Sequence, residues 1–179
     1  MRRIIAASVS LTLGLMLLAA APTTMSEHEV SGTYELTWNA CYGAPPSEEV
    51  PDWIGTADID GAAYDILFFN IGSGRPPTLA LEPPQMAAHE IWAIYDGLEL
   101  VFDEECAIET FESDVVLWGH DYGVANFAEN PEFVLSGLVR EAFGEFADLA
   151  GHGITFTGTV EFDPDPGGPQ SSPGSFVIS

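Results

Sequence analysis

A histidine beside a carboxylate is a common setting for acid–base chemistry, and three of the four histidines have one, two of them beyond the N-terminal region. His120-Asp121, followed by Tyr122 within Gly119-His120-Asp121-Tyr122-Gly123, joins a side chain that titrates near neutral pH to one able to orient it. His89-Glu90 repeats the pairing, while His28 falls near the N-terminus. Adjacent residues of a strand point to opposite faces, so neither pair meets unless the backbone turns there. The segment 119–123 reads as such a turn, which makes His120 the better candidate. Nucleophile motifs are absent: there is no GxSxG, and Ser136-Gly137 lacks the preceding glycine. No glycine cluster opens a βα unit, so no phosphate loop or dinucleotide fingerprint is present and no cofactor is expected.

Oxygen ligands for a metal occur in twos. Asp58 and Asp60 flank a turn, Asp163-Pro164-Asp165 offers a second pair, and Asp103-Glu104-Glu105 with Glu109 and Glu112 is the densest acidic run. Calcium takes about six to eight oxygens, several of them from nearby backbone, and no stretch has a calcium-loop spacing. These acids read as a solvated face, and no metal is expected. Cys41 and Cys106 are the two cysteines of the chain and have no metal-ligand or CxxC spacing. In an exported protein such a pair reads as a disulfide; it would close a loop of about 65 residues and contribute on the order of 4 kcal/mol.

Export itself is read from the N-terminus. Arg2-Arg3, an apolar run from Ile4 to Leu18, and Ala19-Ala20-Ala21 before Pro22 have the build of a secretory leader. The expected organisation is a signal peptide over 1–21, a flexible N-terminus over 22–31 and a single domain over 32–179. No later apolar stretch is long enough to span a bilayer as a helix. The charge is one-sided: 4 Lys and Arg stand against 28 Asp and Glu, and losing Arg2 and Arg3 takes the formal charge from −24 to −26. That surface repels nucleic acid and anionic lipid; it reads first as an adaptation for solubility or a saline habitat, the alternative being a surface that attracts cations or basic partners.

Strand signals dominate the domain. Tyr34, Leu36 and Trp38 alternate with polar residues, as in a half-buried strand. Asp60-Gly61, within residues 53–69, and Asp96-Gly97, within residues 90–102, each read as a hairpin turn. Proline-rich stretches over 42–51, 72–86 and 163–174 read as loops, and Ser175–Ile178 as a last strand. Residues 107–111 and 115–118 read as two strands parted by a polar kink, with 124–127 as a third after the 119–123 turn.

Two readings stand for residues 133–162. Leu135, Leu138, Val139, Ala142, Phe143, Phe146 and Leu149 fit one helix, but Gly137 and Gly144 would each cost about 1 kcal/mol inside it. The preferred reading is a strand over 133–142, a single helical turn over 145–150, a glycine stop at Gly151 and Gly153, and a returning strand over 154–162. The phrase Gly144-Glu145-Phe146-Ala147-Asp148-Leu149-Ala150-Gly151-His152-Gly153 before an alternating strand resembles a hairpin of small exported barrels of the allene oxide cyclase and dirigent type. The resemblance covers about 25 residues and implies an eight-stranded barrel capped at one end by the helical turn. No functional residue is carried over with it.

The expected fold is therefore all-β: an antiparallel closed barrel of about eight strands with one short helical turn, a β-sandwich being the alternative. A barrel of that size either fills itself with side chains or holds one small ligand. The expected role is a binding or interaction module for a small apolar guest, with Trp92, Tyr95, Trp118, His120 and Asn126 as candidate contacts. A cyclase- or isomerase-like enzyme and a structural cell-surface protein are the alternatives.

Overall fold

Period-2 alternation of apolar and polar residues decides which way each strand faces. In this chain it closes a complete ring of eight antiparallel strands. A computed structural model describes residues 29–41, 50–71, 85–126, 132–161 and 170–179. The strands are β1 (Val30–Trp38), β2 (Trp53–Ile59), β3 (Ala62–Asn70), β4 (Gln85–Phe102), β5 (Ile108–Asn126), β6 (Glu132–Ala142), β7 (Gly153–Thr159) and β8 (Ser171–Ile178). Each pairs with the next in sequence, and β8 returns to pair with β1. Within the ring every strand is thus paired on both sides. The expected barrel is thus observed, together with the disulfide between Cys41 and Cys106.

The interior is layered. At one end Val30, Ile59, Ile94, Leu117, Val139, Ile154 and Ile178 fill the ring. A 3-10 turn (Gly144–Leu149) caps that end by burying Phe146 and Leu149 in the same cluster. The middle layer is aromatic. The ring of Phe156 lies 5.1–6.0 Å, centroid to centroid, from those of Phe68, Trp92, Phe176 and Tyr34. Such rings fit only where the opposing strand presents no side chain. A Cβ on Gly119 would lie 2.6 Å from Trp92, and one on Gly158 would lie 2.7 Å from the Tyr34 hydroxyl.

The local readings hold where local sequence governs. Asp60 and Gly61 both have positive φ, 53° and 84°, as a tight hairpin between β2 and β3 requires. Asp58 serves that turn, its Oδ1 accepting from the Gly61 N–H at 3.0 Å. Strand, helical turn and strand succeed one another over 132–159. Gly151 supplies the left-handed stop at φ 87°, whereas Gly153 already belongs to β7. The last strand begins at Ser171, four residues before the expected 175–178.

Two expected turns are instead strand. Residues 119–123 lie inside β5, which runs unbroken from Ile108 to Asn126 because its neighbours β4 and β6 pair along it on both sides. Asp96-Gly97 is a bulge within β4, not a hairpin. Pairing resumes beyond it between Leu98 and Ser113, and Gly97 takes φ 80° to absorb the extra residues. The polar kink expected between 111 and 115 is the other half of this bulge, where Asp114 is skipped.

Beyond the bulge the β4–β5 hairpin doubles back along the outside of the barrel. Leu98, Leu100 and Val115 pack with Ile54, Leu67 and Phe69 on the outward face of β2 and β3. The Leu98 N–H donates to Asp65 Oδ2 at 2.9 Å, which fixes the bend. At the tip Asp103 Oδ1 accepts from the backbone N–H groups of Glu105 and Ala107, so the acidic run builds a turn. Cys106 in that turn is bonded to Cys41, just past β1, and the hairpin becomes a strap pinned at its free end. Residues 1–28, with the expected leader and His28, and residues 42–49, 72–84, 127–131 and 162–169, with Asp163 and Asp165, lie outside the described residues.

Candidate functional site

At the end of the barrel away from the 3-10 cap, the inward positions no longer fill the ring. Leu36 and Trp38 of β1, Trp53 of β2, Phe68 and Asn70 of β3, Ala88 and Glu90 of β4, Phe133 and Leu135 of β6 and Ser172 of β8 surround a cavity of about 230 Å³. Asp52, just before β2, completes the wall. Most of this lining is apolar, and Trp38 and Trp53 meet edge to face at 5.1 Å. Asn39 holds the segment that carries Asp52: its side-chain amide donates to the Pro51 carbonyl at 2.8 Å, and its own N–H donates to the Asp52 carbonyl at 2.8 Å.

Buried acids set the character of the chamber. Asp52 and Asp121 are each 1 % exposed, and Glu90 is 7 % exposed. Glu90 and Asp121 stand directly opposite each other on β4 and β5, both pointing inward. Like charges in that relation repel. Asp52 Oδ1, both carboxyl oxygens of Asp121 and the Ser172 hydroxyl are buried without a hydrogen-bond partner. Buried polar groups are ordinarily satisfied, so this cluster is conspicuous. Among the described residues Arg140 is the only arginine, and it lies on the outer face, donating to His120 Nε2.

Burial without a counter-charge moves the titrations upward. Asp52 is pushed up to about 7 by burial, against the opposing pull of the backbone N–H groups of Asp52, Trp53 and Asn70. Asp121 is pushed up to about 7 by burial and then by the charge of Asp52. Glu90 is raised well above the usual carboxylate range, by burial first and then by Asp52 and Asp121. Tyr34, whose hydroxyl donates to the Thr157 carbonyl at 3.1 Å, is raised by burial and then by Glu90 and Asp121. Near neutral pH the chamber therefore holds protonated carboxyl groups. These can donate a hydrogen bond to a guest, or ionise against a guest that brings positive charge. Among the described residues no group of three or more histidine, cysteine or acidic side chains is placed to hold a metal ion.

The residues singled out from sequence are dispersed. Trp92 is fully buried in the aromatic layer of the interior. Tyr95 and Trp118 face outward into the cluster beneath the strap. His120 sits on the outer face, its ring 6.2 Å from that of His89. Its titration is lowered by burial and then by Arg140 and His89. Asn126 ends β5 opposite Gln85, and its side chain lies outside the described residues.

Each histidine–carboxylate pair is split by the strand that carries it, imidazole outside and carboxyl inside. Glu90 shares parity with Ala88, Trp92 and Ile94, and Asp121 with Gly119 and Leu117. Alternation carried through both segments was the available signal for these buried acids. No protein-family model matches the chain, and no curated protein and no solved structure matches it either.

Proposed function

We propose that the protein is an exported barrel that binds a small, largely apolar ligand in the chamber walled by β1, β2, β3, β4, β6 and β8. One observation carries the reading: a cavity of about 230 Å³ with mostly apolar walls is lined by Asp52 and Ser172, whose Oδ1 and hydroxyl are buried without a hydrogen-bond partner. A chamber kept only for stability gains by filling such space and pairing such groups. Unmatched polar atoms in an apolar cavity support a role in orienting a guest. The leader-like N-terminus and the Cys41–Cys106 disulfide support export into an oxidising compartment.

Native mass spectrometry of the protein taken from its source tests the reading, together with titration by apolar probes. Trp38 and Trp53 line the chamber, so their fluorescence is expected to change when a guest enters. A clean apo mass and tryptophan emission indifferent to every probe would remove it. A second reading, an isomerase- or cyclase-like enzyme, is favoured by one feature. Asp52 and Glu90 line an apolar chamber and are raised towards or above neutral pH by burial, which gives them the acidity a general acid needs.

A further inference from the structure

We infer that the guest of this chamber is a small organic cation, an aryl-alkyl amine of about nine non-hydrogen atoms scaled from a cavity of about 150 Å³ that takes benzene. The inference rests on the chamber being a binding site and names the class of ligand that fits it. Sign of charge comes first. The titratable groups lining the cavity among the described residues are Asp52 before β2 and Glu90 on β4, and Asp121 on β5 and Tyr34 on β1 are buried close enough to interact with them electrostatically. The other walls contribute apolar side chains with Asn70, Gln170 and Ser172, and among the described residues no cationic side chain lines the cavity. A fatty acid or any other anion would be set among acids, with no cationic side chain among the described residues of the cavity wall to neutralise it.

An ammonium group fits what is unmatched. It brings three donors and no acceptor. Asp52 Oδ1 and Ser172 Oγ are acceptors, 99 % buried by residue and without a partner. Trp38 and Trp53 add π faces at the same wall, which attract a cation and pack equally well on an aryl arm. Outside, a formal charge of −24 draws cations towards the molecule. A bare metal ion suits the chamber less, because the acids do not converge and the remaining walls are apolar.

Binding is coupled to a proton. The amine enters as its ammonium ion, a carboxyl group of the Asp52–Glu90–Asp121 set gives its proton to solvent, and an ion pair forms in its place. The bound state holds one carboxylate and one ammonium, and one proton appears in the buffer.

Calorimetric titration of the mature protein at about pH 6, below the raised carboxyl titrations, with 2-phenylethylamine, 2-phenylethanol and phenylacetate tests this. The amine is expected to bind about tenfold more tightly than the alcohol, with phenylacetate weakest. Proton release, read from buffers of different ionisation enthalpy, should accompany the amine and not the alcohol. Asp52→Asn and Glu90→Gln, checked as folded by near-ultraviolet circular dichroism, should each erase most of the amine's advantage. An alcohol that binds as well as the amine, or a carboxylate that binds best, overturns the cation while leaving the chamber as the site. If none of the three binds and the protein from its source carries no guest, the cation and the chamber reading fall together.

Discussion

Asp121 sits 1 % exposed beside Glu90, with neither oxygen hydrogen-bonded, and this has a signed consequence for stability. Its carboxyl titrates at about 7 in the folded chain against 3.8 ordinarily. Below about pH 4 both folded and unfolded chains hold the proton. Between there and about pH 7 the unfolded chain has released it and the folded chain has not. Stability therefore declines as pH rises through that window and levels off above it. Asp121→Asn removes the titration and leaves a neutral side chain of similar shape. The variant is expected to match the parent near pH 4 and to exceed it at pH 8 by up to about 4 kcal/mol, measured by urea denaturation at each pH. Equal pH slopes for the two proteins would show that Asp121 is not held protonated.

The strap formed by the ends of β4 and β5 owes its position to three things: the bulge at Asp96-Gly97, the hydrogen bond from the Leu98 N–H to Asp65, and the disulfide. Replacing both Cys41 and Cys106 by serine is expected to cost about 4 kcal/mol, the chain-entropy value for a 65-residue closure. Hydrogen exchange should then rise first in residues 98–113, with the strands of the ring still protected. Uniform loss of protection would mean that the strap is part of the ring's own cooperative unit.

Much of the rest was legible locally. The Asp60-Gly61 hairpin and the strand–turn–strand over 132–159 follow from short-range glycine chemistry and alternation. Asp96-Gly97 carries the same signature and yet is a bulge, because positive φ serves either device. What decides is the length of the partner strand. Residues 119–123 misled in a similar way. Their two glycines suggest a turn, but Gly119 is there to admit Trp92 from the facing strand, a contact that no local window contains. Glu90 and Asp121 were hidden by the ordinary expectation that carboxylates face water. Their parity with buried neighbours was visible; closure of the ring around them was not.

At the scale of the whole molecule, two features share one sign. The sequence carries a formal charge of −24, and three of the acids counted in it, Asp52, Glu90 and Asp121, are buried with no arginine among the described residues beside them. Self-repulsion of the outer charges is screened by salt, whereas the buried groups are shielded from it. Added sodium chloride is accordingly expected to raise the melting temperature of the parent and of Asp121→Asn by the same amount, while their pH slopes differ. Salt that abolished the difference in slope would place Asp121 in contact with solvent.

Where a guest sits decides whether the chamber is the binding site. Amide chemical-shift mapping of the mature protein during titration with 2-phenylethylamine, and separately with 2-phenylethanol, locates it most directly. Shifts are expected at Trp38, Trp53, Asn70, Glu90 and Ser172 around the chamber, with Phe146 and Leu149 at the capped end unmoved. Shifts gathered on the outer face around His120, Tyr122 and Val134, or no shift with either compound, would contradict it.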